Sequence, residues 1–189
     1  VHPLLATRGP PGTHDLALAM HTLEHLQAGV DTPLPRFDKL SDDRLPPALW
    51  PHTRGRCDAV VLEGWFLATP AQAEVELDTP LNALERIEDA DGRWRRWCNQ
   101  SLARDYPALW QHIDLLWFLQ GPGFDVVPDW RWQQEQSLQA SDPRRAGMTR
   151  EEVERFVQFF ERVSRQALRT LPTLADRTIT LDKERHVKP

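Results

Sequence analysis

The residues best suited to chemistry fall at one expected strand end and in two charged loops. Residues 59–62, Ala-Val-Val-Leu, form a β-branched apolar run that predicts a strand buried on both faces, with Glu63-Gly64 closing it. Open α/β sheets place their ligands at such carboxyl ends, where Glu63 could hold Mg²⁺ directly or through water. A carboxylate there could equally cap a neighbouring helix. In the run Leu34-Pro35-Arg36-Phe37-Asp38-Lys39, with Asp42-Asp43-Arg44 beyond it, Arg36, Lys39 and Arg44 could pair with a carboxylate or phosphate. Asp38 or Asp43 could accept hydrogen bonds from hydroxyls, although the same charges also suit a solvated loop that balances itself. Arg131, within Trp130-Arg131-Trp132-Gln133-Gln134-Glu135, and Arg144-Arg145 could close over a transferring phosphate, or decorate the surface of an amphipathic helix. His14, in Thr13-His14-Asp15 at a helix start, could supply a base or stand beside a capping residue.

Other chemistries find little footing. A phosphate-cradling loop needs Gly-Lys-Ser/Thr after a glycine-rich turn, so that backbone donors and a lysine meet the phosphates. The three lysines, Lys39, Lys183 and Lys188, follow Asp38, Asp182 and Val187, so the sequence has no Gly-Lys pair. Its histidines have no zinc-ligand spacing, and there is no G-x-S-x-G and no Cys-His pair at catalytic spacing. Cys57 and Cys98 read as ordinary thiols of a reducing compartment.

Strands alternating with helices must position these groups. Leu16, Met20, Leu23 and Leu26 mark the apolar face of a first helix that Gly29 stops. Residues 32–51, rich in proline and charge, predict a long ordered loop. A short helix is expected over 81–87, and a longer one over 94–110, with Trp94, Trp97, Cys98, Leu102 and Leu109 on one side and Pro107 disturbing its end. Residues 115–119 predict a second buried strand before Gly121-Pro122-Gly123. Thr149 and Glu152 form a capping-box pair. Val153, Phe156, Val157, Phe160, Val163, Ala167, Leu168 and Leu171 then follow a helical period until Pro172. Residues 178–181 predict a last strand. The pattern is that of an α/β protein with a parallel sheet.

Composition narrows the partners. The chain has 189 residues, a length for one domain, and a net charge of −5 that argues against a nucleic-acid surface. No apolar run approaches the roughly 20 residues of a membrane helix, and the first residues show no secretion signal, so a soluble, cytoplasmic protein is expected. The eight tryptophans are expected in core and interface.

Taken in order, the pieces resemble the plant-type glycerate kinase family of D-glycerate 3-kinases, within the phosphoribulokinase/uridine kinase group. The resemblance runs through Arg8-Gly-Pro-Pro-Gly-Thr-His-Asp15, Leu34-Pro-Arg-Phe-Asp-Lys39 with Asp42-Asp-Arg44, and Val61-Leu-Glu-Gly-Trp65. It continues through Leu81-Asn-Ala-Leu-Glu85, Glu88-Asp89, Gly92-Arg-Trp-Arg95, Asn99, Trp130-Arg131, Gln134-Glu135 and Gly147-Met148. It implies an α/β, three-layer P-loop-kinase-like fold, a parallel sheet flanked by helices, with residues 1–189 one domain. It also implies ATP- and Mg²⁺-dependent phosphorylation of a hydroxyl of a small hydroxy acid, D-glycerate first among them.

By that resemblance Glu63 looks like the Walker B-type acid, acting on Mg²⁺ through water, with Asp38 and Lys39 beside it as catalytic groups. Arg36, Asp43, Arg44, His14 and Asp15 look like substrate-binding residues, and Arg131, Arg144 and Arg145 like lid residues. The family's P-loop lies upstream of the Arg8-Gly9 motif and is not in this sequence. The expectation is therefore a kinase portion lacking the N-terminal P-loop strand, inactive alone and prone to form homodimers through uncovered apolar faces. Two other readings stand beside it: a non-catalytic kinase-like protein that binds a metabolite or partner, and a related kinase acting on a nucleoside or vitamin precursor.

Overall fold

A computed structural model describes residues 2–38, 41–141 and 147–188, so Lys39, Arg144 and Arg145 lie outside the described residues. The chain divides into two compact units, Asp15–Gly64 on the one hand and Val1–His14 with Trp65–Pro189 on the other.

The smaller unit, Asp15–Gly64, begins with α1 (Leu16–Ala28). Asp15 caps it by accepting from the Leu18 N–H at 3.1 Å. Gly29 ends it in the left-handed region at φ 71°, which glycine adopts without a Cβ clash. The expected helix and its stop are both present. The following segment, expected as a loop, is tied by two short antiparallel pairs. Strand β1 (Thr32–Pro33) pairs with β4 (His52–Thr53), and β2 (Phe37–Asp38) pairs with β3 (Asp43–Arg44).

The expected strand over 59–62 does not form. These residues are exposed and irregular, with Val61 91% exposed, and Glu63 follows them in an exposed turnless segment. A strand buried on both faces needs neighbours to take its backbone donors and acceptors, and none of the described strands pairs with it.

In the larger unit, α2 (Ala83–Glu88) is capped by Asn82, whose side chain accepts from the Glu85 N–H. Helix α3 (Arg93–Arg104) buries Trp94, Cys98, Ser101 and Leu102, but Trp97 is 45% exposed rather than on the apolar side. Pro107 does more than disturb an end. It opens a separate helix, α4 (Pro107–Trp110), at the first position, where its missing N–H leaves no bond unmade. Strand β5 (Trp117–Gln120) runs parallel to β6 (Arg177–Thr180), as Trp117↔Arg177 through Gln120↔Thr180. Between them come α5 (Val127–Ser141) and α6 (Arg150–Leu174).

Helix α6 organises this unit. Its Thr149–Glu152 capping box forms in both directions, and its buried Val153, Val157, Phe160, Val163, Ala167 and Leu171 recur every three or four residues. Phe159 and Phe160 pack with Leu84, Trp94 and Cys98, while Val153 and Val157 pack with Phe124. Each large apolar side chain so buried stabilises the unit by roughly 1.5–3 kcal/mol. The helix continues two residues past Pro172, because a proline in the last turn forfeits only one intrahelical bond.

The fold is α/β, with helices packed against a short parallel sheet and α6 lying on β5. Among the described residues no helix is long and apolar enough to cross a membrane.

Candidate functional site

Most of the expected acceptor residues lie on the hairpin and helix start of Asp15–Gly64. Across the β2–β3 pair, Asp38 faces Asp43 and Phe37 faces Arg44. The connecting turn passes Asp42 at φ 54°, a left-handed position that Asp tolerates better than most residues. Asp38 accepts from the Ser41 hydroxyl at 2.7 Å and from its N–H at 3.3 Å. Asp43 accepts from the Arg44 N–H. The Arg44 guanidinium donates to Asp15 at 2.7 Å, which joins the hairpin to the start of α1. The Leu18 N–H bond and Arg44 together hold the Asp15 carboxyl below its usual range. Arg36 is exposed, and its side chain has no hydrogen-bond or ion-pair partner among the described residues.

Asp15 and Arg44 are thus brought together, Asp38 and Asp43 face each other across the β2–β3 pair, and Arg36 immediately precedes β2. Glu63 is not at a strand end. The described histidines and acids include one group whose ligand atoms lie close enough for a metal ion, His2, Asp89 and Asp91, and Glu63 is not in it. In that group Asp89 already accepts from the N–H groups of Trp94 and Arg95 and from the Arg95 guanidinium, and Asp91 pairs with Arg93. These bonds tie Asp89 to the first turn of α3, whose N-cap residue is Gly92.

His14 belongs to the larger unit, in the loop 8–14. Thr13 donates its hydroxyl to the Pro10 carbonyl at 2.7 Å and accepts from the Gly9 N–H, which closes the loop on itself. Gly12 sits at φ 87°, and a Cβ there would meet Ser101 Oγ at 2.7 Å and Trp97 Nε1 at 2.8 Å, so no side chain fits. The Gly12 N–H donates to the Tyr106 hydroxyl at 3.0 Å, and the same oxygen lies 2.7 Å from His14 Nδ1. Phe66 packs against both rings. Burial lowers the His14 pKa and pushes the Tyr106 phenol up to about 12, so both are neutral near pH 7. Tyr106, the only tyrosine of the chain, gave no signal in the sequence because it lies 92 positions from His14.

Arg131, the described member of the expected lid, is held rather than free. It donates to the buried Glu135 at 2.8 Å, and Glu135 also accepts from the Met148 N–H. The guanidinium lies over the Phe156 ring, 5.7 Å from its centre. Arg131 lines a cavity of about 530 Å³ just beyond the carboxyl end of β5, with Phe118, Trp130, Ser164 and Arg185 on other walls. Ser164 Oγ is buried with no hydrogen-bond partner among the described residues.

No lysine of the sequence follows a glycine, and among the described residues no His, Cys, Asp or Glu stands with Glu63 in a group close enough to share a metal ion.

No protein-family model matches the chain. It is 31% identical over 168 residues to the chloroplastic D-glycerate 3-kinase of Arabidopsis thaliana, covering 82% of this chain and 33% of that protein. It is 30% identical over 173 residues to the uncharacterized kinase mug58 of Schizosaccharomyces pombe, covering 84% of this chain and 58% of that one. Among solved structures, the D-glycerate 3-kinase of Cryptococcus neoformans superposes on the whole chain with a TM-score of 0.79 and 26% identity, over 70% of its own length. The chain thus spans a third to somewhat over half of the curated relatives it matches.

Proposed function

We propose that the protein to which this chain belongs is an ATP- and Mg²⁺-dependent kinase. It transfers a γ-phosphoryl group to a hydroxyl of D-glycerate or a similar hydroxy acid. The observation that carries this reading is the superposition of the entire chain on a D-glycerate 3-kinase, beside 31% identity to a second one.

Arg36 and Arg44 pair with the acceptor carboxylate, Arg36 being an exposed cation of that segment whose side chain has no protein partner among the described residues. Asp38 and Asp43 orient hydroxyls, Lys39 acts with Asp38 on the reacting hydroxyl, and Asp15 fixes Arg44. Glu63 serves Mg²⁺ through water. Arg131, Arg144 and Arg145 work on the transferring phosphate, and His14 faces the acceptor. Such chemistry asks for positioning and charge neutralisation more than for covalent steps. A cytoplasmic location belongs to the same proposal, although the Arabidopsis relative is named as chloroplastic. So does a homodimer, for which the exposed Leu115, Trp117 and Leu119 supply apolar surface; a clean monomer in light scattering removes it.

The test is an acceptor panel on the whole protein encoded by the reading frame, with this chain alone in parallel. Phosphorylation of D-glycerate by the former and no turnover by the latter is expected. Activity on a nucleoside or vitamin precursor instead would keep the kinase class and discard the hydroxy acid. A second reading, a non-catalytic binder of a metabolite or partner, is favoured by the lack of a Gly-Lys pair. Calorimetry showing tight, nucleotide-independent metabolite binding with no turnover by the whole protein would select it.

A further inference from the structure

We propose that Tyr106 is a positioning residue that fixes His14 as the neutral tautomer protonated on Nε2, so that this ring offers the acceptor a hydrogen-bond donor and not a base. The ligand half of the proposal, a carboxylate or hydroxyl oxygen of a hydroxy acid, rests on the function proposed above. The tethering half stands on the geometry alone.

The assignment follows from counting protons around one oxygen. A phenolic hydroxyl has one hydrogen to give and lone pairs to receive. The Tyr106 oxygen receives the Gly12 N–H at 3.0 Å, and the His14 backbone N–H also stabilises negative charge on it. Its remaining neighbour within hydrogen-bond distance is His14 Nδ1 at 2.7 Å. If Nδ1 carried the ring proton, it would become a further donor aimed at an oxygen already receiving, and the buried phenolic hydrogen would have no acceptor. Tyr106 is 2% exposed, so a hydroxyl hydrogen left without an acceptor would be cut off from water as well as from protein. The arrangement that satisfies every group has the Gly12 N–H donating to Tyr106, Tyr106 O–H donating to Nδ1, and the ring proton on Nε2.

Two surrounding features keep this arrangement in place. Gly12 cannot carry a side chain at its position against Ser101 and Trp97, so the loop stays close enough for its amide to reach the phenol. The Tyr106 ring is wedged between Phe66 and Trp110, with centroids 5.7 and 5.3 Å away. The His14 ring meets Phe66 at 5.8 Å and Tyr106 edge-on at 6.0 Å, while the residue as a whole stays exposed. One edge of the imidazole is therefore used up inside the protein, and Nε2 is the nitrogen left for a ligand. A general base at this position would need a bare lone pair toward the ligand, and the tether puts the only lone pair of the neutral ring on Tyr106.

Nitrogen NMR of the histidine side chains in the intact chain tests this without requiring turnover. Above the His14 titration, Nδ1 is expected to show the unprotonated signature and Nε2 the protonated one, with no averaging between tautomers. In Tyr106→Phe the ring loses its donor and the two nitrogens average. A proton on Nδ1 in the wild type, or an unchanged tautomer balance in Tyr106→Phe, would overturn the tether. Adding D-glycerate is expected to move the Nε2 resonance in the wild type and much less in Tyr106→Phe. If the tautomer is as assigned and D-glycerate moves nothing, the ligand half falls while the tether stands. If the whole protein then fails to phosphorylate any hydroxy acid, the hydroxy-acid reading fails separately.

Discussion

The two units hold their charges in opposite ways. The larger one buries a few charged groups and partners them: Glu85 is 0% exposed and receives Arg162, and Asp89 is 1% exposed and receives Arg95 and two backbone amides. In Asp15–Gly64 only Leu26 and Thr32 are buried among the described residues, and Asp15, Arg36, Asp43 and Arg44 are all exposed. The unit with the poorer core carries most of the expected acceptor residues. A region with few buried contacts opens at low free energy, and ligand binding would order it.

Breaking the buried pairs should produce the largest effects. Glu85→Ala leaves Arg162 half-partnered inside the protein and should lower stability by about 3–5 kcal/mol in chemical denaturation. A value near zero would mean that these pairs are not the frame of the larger unit. Next, Leu26→Ala removes one of the two buried side chains of the smaller unit and should cost about 2–5 kcal/mol locally. Hydrogen exchange should then show faster opening of α1 with α6 unchanged, and equal loss of protection in α6 would erase the distinction between the units. Arg44→Ala breaks an ion pair whose members are about half exposed, so its effect on stability should be within about 1 kcal/mol.

Acid sharpens the comparison with smaller effects. Burial lowers the His14 pKa below its ordinary 6.5, so the unfolded chain binds more protons just under that pH and stability falls as pH drops through it. His14→Gln should flatten the stability profile there. The Asp15 pKa is lowered below 3.8 by the Leu18 amide and Arg44, so its contribution is present above that pH and fades as pH falls further. Arg44→Ala should shrink the second effect and leave the first untouched, as stability measured against pH would show.

The legible parts of the sequence were those with local grammar. The Thr149–Glu152 box, the α6 period, the Gly29 stop and the two strands of the parallel pair could be read because each signal lies within a few residues of its effect. The run over 59–62 misled because apolar β-branched residues state a preference for a strand without supplying the partners it needs. Trp97 looked like core by spacing, yet faces out. At the site, Arg36, Asp38, Asp43 and Arg44 were legible as a charged loop, but their hairpin register was not. The Tyr106–His14 contact was invisible because it joins residues 92 positions apart.

The central claim, that Asp15–Gly64 presents cations to an anionic acceptor, is tested most directly by Arg36→Ala in the whole protein. The account predicts phosphorylation of D-glycerate by the wild type, with the variant's KM for D-glycerate raised about tenfold or more, as expected for loss of roughly 1.5–3 kcal/mol from a charged hydrogen bond, and its KM for ATP unchanged. An unchanged KM for D-glycerate, or no transfer to any hydroxy acid by the wild type, would contradict it.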